Sequence, residues 1–296
     1  SITKAIGIIL MVIGHSMCPK FLSDFIYMFH MPLFFFCSGY CFKKSYLDNV
    51  KGFIIRRINT TYITFIKWSL LFLFMHNMLC HLHLCNEMYG GGPYSIHDYA
   101  KKVAYFLFSM GGQEDLLGGM WFLKPLLLGS IIMICMMKIK SDTRIWMPVL
   151  IVIAFISAYF KIHILCIGQI YRLTLATFYI MFGVWSAEKQ IINSRLSKWY
   201  VIIPLLVLTA ILSRYTPASM SSENYKTFIP YTIASIAGFW SVFVVSSNLA
   251  QQQNIINKVL CYIGDNTITI LVWHLSAMKL VSLLIINNGI SVLILL

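Results

Sequence analysis

Long, uninterrupted apolar runs constrain this chain more than any single motif. Nine can be marked: Ile2 to Cys18, Phe25 to Phe42, Tyr62 to Leu84, Met120 to Ile139, Ile145 to Phe160, Ile164 to Ala187, Trp199 to Leu212, Phe228 to Asn248 and Thr267 to Ile286. They are continuously apolar rather than alternating, and lipid admits only helices or closed barrels, so they read as membrane-crossing helices and strands are not expected. Composition agrees: 11% of residues are charged, against roughly 25% in a globular chain. At about 20 residues per crossing the chain has room for roughly nine or ten helices. The expectation is an all-α, polytopic bundle forming one domain over residues 1–296. The first residue is Ser1, the first run is short, and nine crossings put the two termini on opposite sides, so truncation at both ends and a tenth helix past Leu296 are also expected. The first run carries His15 and no small-residue cleavage site, which reads as a retained crossing and not a signal peptide.

Orientation follows from Lys and Arg, which accumulate on the cytoplasmic side. With the N-terminus inside, the inner segments hold Lys4, Lys43, Lys44, Lys51, Arg56, Arg57, Lys138, Lys140, Arg144, Lys189, Arg195, Lys198 and Lys258, against Lys20, Lys101, Lys102, Lys161, Arg214 and Lys226 outside. The net charge of +13 is then mainly a topology signal favouring an anionic inner leaflet. No basic, aromatic-rich stretch sits in a water-exposed domain, so no nucleic-acid partner is expected.

The first helix also carries the leading site candidates. Eleven residues separate Lys4 from His15, almost three whole turns, so the two lie on one stripe about 16 Å apart. Ionisable groups in lipid are costly and point to function.

Eight cysteines are read mainly as buried free thiols, with an outer disulfide such as Cys85 with Cys166 as the alternative. His76, Cys80, His81, His83 and Cys85 crowd the end of the third run, but no CxxC or HExxH spacing accompanies them, and they read as a polar helix end with no metal bound. The loop from about Asn86 to Lys102, with Gly90-Gly91-Gly92-Pro93, is expected to cover a site mouth and to lead into an interfacial or re-entrant helix over Val103 to Met110.

Several motifs together resemble the family-3 membrane acyltransferases. Lys4 with ten residues to His15, followed by Met28-Phe29-His30-Met31-Pro32-Leu33-Phe34-Phe35-Phe36-Cys37-Ser38-Gly39-Tyr40, resembles the family's first two helices. Arg56-Arg57 resembles its basic pair before the third helix, Gly119-Met120-Trp121-Phe122-Leu123 its Trp-Phe-Leu helix start, and Ile263-Gly264-Asp265-Asn266-Thr267 through Trp273-His274 its penultimate helix.

The resemblance implies an O-acyltransferase of the inner (cytoplasmic) membrane that modifies carbohydrates of the cell envelope. It would move an acyl group, acetyl in the commonest case, from acyl-CoA as co-substrate to a hydroxyl of a polysaccharide or glycolipid acceptor, with no bound cofactor. His15 takes the position of the family's histidine, as general base or, on a second route, as an acyl carrier. Lys4 stands where most members carry Arg, so it keeps the charge without the forked grip on phosphate. Arg56 and Arg57 suit a CoA phosphate better. Lys4, Arg56, Arg57, His30, Trp121 and His274 are assigned to substrate binding.

Arg172 has no acid within four residues and is assigned a catalytic role, stabilising negative charge on the thioester oxygen. Ser38-Gly39 reads as a close-packing step, because no nucleophile elbow surrounds the serine. Lys67, Lys124 and Lys279 read as cavity-lining or snorkelling groups. No acid lies deep in a crossing, leaving His15 to be oriented by a backbone carbonyl or Ser16. The main alternative, a multi-pass transporter of a glycan or small polar solute, would call for an intramembrane acid and paired broken helices, and neither is visible.

Overall fold

The computed structural model describes residues 1–82, 92–252 and 254–287, with side chains as far as 282. The helices are α1 (Ile2–His15), α2 (Lys20–Tyr27), α3 (His30–Tyr40), α4 (Val50–Arg57), α5 (Ile63–His81), α6 (Ile96–Ser109), α7 (Leu123–Ile139), α8 (Thr143–Phe160), α9 (Ile170–Glu188), α10 (Trp199–Tyr215), α11 (Phe228–Leu249), α12 (Ile255–Asp265) and α13 (Thr267–Asn287). The expected all-α bundle is present. Among the described residues, five helical stretches are long and apolar enough to span a membrane, and a sixth if α12 and α13, bent by 82°, count as one. α1 and α10 are apolar but shorter.

Several boundaries differ from the sequence expectation. The run from Ile164 is not helical at its start: β1 (His163–Ile164) and β2 (Gly168–Gln169) pair antiparallel, and the helix begins at Ile170. Cys166 and Gly168 take positive φ, which stops a helix there, and Leu165 at the tip is 91% exposed. The second run starts earlier, at Lys20, and breaks at Met28–Phe29. Pro32 causes the break, since its ring would collide with the carbonyl four residues back in a continuous helix. The amphipathic α12 lies outside all nine runs, and α6 begins at Ile96, where Ser95 and Asp98 form a capping box.

Between α4 and α5 the chain makes one π turn, Ile58–Tyr62. Such turns hold an extra residue per turn and recur at functional sites.

α9 runs through the centre, with every residue from Leu173 to Met181 buried. It crosses α3 at backbone contact. A Cβ on Gly39 would overlap the Ile180 carbonyl, and one on Gly183 would overlap that of Phe36. Phe36 then stacks on Phe239 of α11 with ring centres 4.8 Å apart and meets Phe243 edge-on at 5.0 Å. This aromatic seam binds α3, α9 and α11 into one core.

None of the seven described cysteines is fully buried, so the buried-thiol expectation fails on position. They are half-buried or exposed, on helix flanks or, for Cys18, Cys41 and Cys166, in turns, where a thiol is a tolerable small apolar group. Cys85 and His83, named for the disulfide and the histidine cluster, lie outside the described residues.

Candidate active site

Most of the candidate side chains lie toward the two ends of α1. At one end, α1, α3, α4, the π turn, α7 and α13 enclose a cavity of about 570 Å³ whose wall includes Lys4, Arg56 and Arg57. The π turn places Thr60 on the same wall, and its hydroxyl donates to the Arg56 carbonyl at 2.8 Å. Arg57 Nη2 donates to Ser38 Oγ at 2.7 Å, and its guanidinium lies 5.3 Å from the Phe53 ring centre. Arg56 Nη1 reaches Tyr46 Oη at 3.4 Å. Neither arginine is in an ion pair among the described residues, so the cavity carries uncompensated positive charge. Ser38 thus serves as a hydroxyl acceptor for Arg57 while Gly39 provides the helix crossing.

At the other end lies a smaller cavity of about 210 Å³ with His15, Tyr27, His30 and Trp121 on its wall. His15 sits on the last turn of α1, its ring centre 5.9 Å from that of Tyr27 and 5.4 Å from that of His274. Tyr27 donates its hydroxyl to the Gly14 carbonyl at 2.7 Å, which fixes the chain just before His15. His30 Nδ1 meets the Ile26 carbonyl at 3.0 Å and His274 Nδ1 the Leu271 carbonyl at 2.8 Å. A carbonyl only accepts, so both rings carry their proton on Nδ1 and leave Nε2 as an acceptor. The Ile26 carbonyl, at the break between α2 and α3, also accepts from Phe29 N–H at 3.2 Å. His274 Nε2 is buried with no partner among the described residues. Ser16, expected to orient His15, instead donates to Ile13 O at 2.8 Å.

His15, His30, His274 and Trp121 are therefore neighbours, and Lys4, Arg56 and Arg57 are neighbours at the opposite end of the same helix. Arg172 belongs to neither group. It lines a third cavity, also about 210 Å³, which shares Trp121 with the His15 cavity. Its guanidinium lies 5.1 Å from the Trp121 ring centre, and Nη2 donates to the Ser221 carbonyl at 2.7 Å.

Sequence reasoning missed Tyr27, Ser221 and a buried cluster around Glu114. Glu114 is 5% exposed although it precedes the Met120 run. Its Oε2 accepts from His76 Nδ1 at 2.7 Å and from Tyr94 Oη at 3.3 Å, while Oε1 lies 3.2 Å from Lys102 Nζ in an ion pair. The Tyr94 ring stacks on His76 at 3.5 Å. Burial and the Glu114 carboxylate push the Tyr94 phenol up, so it stays protonated and donates. His76 therefore locks α5 to the chain ahead of α7. Among the described residues no group of three or more His, Cys, Asp or Glu could hold a metal. Two separate warnings stood in the sequence, the histidines and cysteines crowded at the end of the third run and a glutamate beside a long apolar segment.

Fold and cavities together define an integral-membrane helical bundle with a polar interior at both ends. The acyltransferase-domain model of acyltransferase family 3 matches residues 2–296, and the chain belongs to that family: it is a membrane acyltransferase. No curated protein and no solved structure matches it significantly.

Proposed function

We propose that the protein moves an acyl group, acetyl in the first instance, from acyl-CoA to a hydroxyl of a carbohydrate or glycolipid acceptor. The observation that carries this reading is the pairing of two cavities along α1, one walled by Lys4, Arg56 and Arg57 and the other by His15. The cationic cavity suits the phosphates of CoA, for which guanidinium forks supply paired donors. From there the pantetheine arm has about 16 Å to cover along the Lys4–His15 stripe. His15 then acts as general base: its neutral imidazole takes the acceptor hydroxyl proton as the oxygen attacks the thioester carbonyl. The C–S bond breaks, CoA leaves as its thiolate, and the imidazolium returns the proton, giving an ester and free CoA. The excess of basic residues at the Lys4 end supports a cytoplasmic N-terminus and donor side, in the inner membrane.

The test is transfer of labelled acetyl from acetyl-CoA into surface glycans of cells expressing the protein, beside a His15→Ala version at equal level. Label with the parent and none with the variant is the expected result. Equal labelling by both would remove His15 as base, and label from neither would remove acetyl transfer to these glycans.

A further inference from the structure

The third cavity has features that the acyl-transfer chemistry at His15 does not use. Two cations stand on its wall, Lys124 at the start of α7 and Arg172 at the start of α9, and no acidic residue lines it. Lys124 has no ion pair or hydrogen bond among the described residues, and Arg172 makes no ion pair there. Two further polar atoms on these residues are buried and unpartnered: Arg172 Nε, a donor, and Gln169 Oε1, an acceptor. Leaving such groups unmade in the free protein is costly, and a ligand that supplied both partners would recover that cost. The β1–β2 hairpin brings Gln169 and Gly168 to the wall, and Gly168 lies beside the Lys124 ammonium.

This cavity is next to the His15 cavity. Trp121 faces both, and Arg172 donates to Ser221, which lines the His15 side. At about 210 Å³ each, both fall below the ~300 Å³ of ordinary ligand sites, whereas a ligand spanning them would occupy a site of normal size. Arg172 already lies over one face of the indole.

Resting on the acyl-transfer reading, we propose that the Lys124–Arg172 cavity is an acceptor subsite for a sugar bearing an anionic substituent, a carboxylate or a phosphate. The anion pairs with Lys124 and Arg172, a sugar hydroxyl donates to Gln169 Oε1, and Trp121 packs along the ring whose reacting hydroxyl points to His15. On this assignment Arg172 holds the acceptor and does not touch the thioester oxygen.

The experiment is direct binding to the purified full chain in detergent, read by saturation-transfer NMR, with glucuronate, glucose 6-phosphate and glucose as probes. The His15→Ala protein is run in parallel, because binding does not need the base. The expected result is at least tenfold tighter binding of one or both anionic sugars than of glucose, in both proteins, weakened by salt. Arg172→Gln and, as an independent variant at a different helix start, Lys124→Gln should each abolish that preference, while Arg172→Lys should keep part of it. Whichever of glucuronate and the phosphate binds better identifies the substituent. Equal binding of all three sugars, no binding of any, or a preference unchanged in both Gln variants would overturn the subsite. A preference for anionic sugars without acetyl transfer to any glycan would keep the anionic-sugar site and remove acetyl as the group transferred. Acetyl transfer with no such preference would do the reverse.

Discussion

The two ends of the bundle are built differently. At the Lys4 end the charges stand around one wide cavity, and the segments that bring them there are short helix interruptions: the end of α3, the 3-10 turn Lys44–Leu47 and the π turn. At the His15 end the polar groups divide between two small cavities, and irregular segments far apart in sequence bring them together: the stretch before α7, the hairpin before α9 and the Ser219–Ser221 turn. A wide cationic opening suits a large, flexible, multiply charged molecule. Small cavities with fixed imidazole tautomers suit the placement of one hydroxyl. The contrast is between holding and aiming.

Kinetics can break that contrast. His15→Ala should cost about 10²–10⁴-fold in kcat, the usual worth of a positioned general base, with the donor KM nearly unchanged. Steady-state acetyl transfer with purified protein measures both. A rise in donor KM with kcat preserved would move His15 to the holding end.

Glu114→Ala tests whether the aiming end is rigid because of its buried cluster. Removing one partner of a buried ion pair costs about 3–5 kcal/mol, so the variant should unfold at clearly lower temperature in detergent. The drop should be much smaller for Lys44→Ala, whose pair with Glu188 at 3.3 Å is largely exposed. Similar melting of the two variants would erase the distinction.

Arg56→Met and Arg57→Met should each raise the KM for acyl-CoA by about tenfold, the value of one charge-assisted contact, and leave kcat within about twofold. Larger loss at Arg57 is expected to include some stability, because Ser38 would lose its partner.

The smallest effect sharpens the basic end itself. Asp142, at the N-terminus of α8, is held down at about 2 by hydrogen bonds and charge from Arg144. A carboxyl with a depressed folded value contributes stability at neutral pH that fades only as pH falls from its ordinary value near 3.8 toward 2. Carbon-detected titration should find Asp142 ionising near 2, and Arg144→Ala should move it part of the way back up, because the backbone N–H of residue 144 still donates to it. No change on that substitution would show that the pair does not form in the membrane-embedded protein.

How much of this was legible follows the same division. Apolar runs and basic clusters lie along the sequence, so the helical bundle, Lys4 with Arg56 and Arg57, and the Gly39 crossing could be read directly. The hairpin at His163–Gln169 could not be read, because Ile164, Leu165 and Ile167 imitate the start of a crossing and only backbone φ at Cys166 and Gly168 distinguishes them. Glu114 with His76, Trp121 with Arg172, and Arg172 with Ser221 are contacts between distant segments, and spacing carries no trace of them.

The π turn at Ile58–Tyr62 makes the position of Arg56 and Arg57 a matter of counting. Removing one residue there would let the helix tighten to ordinary winding and turn everything on its N-terminal side by about 100° relative to α5. α5 is anchored by His76, Phe72 and Trp68, so the two arginines would be the part to swing, taking their charge off the cavity wall with no side chain altered. A sequence could thus keep every polar residue of this site and lose its cationic end by the deletion of a single codon.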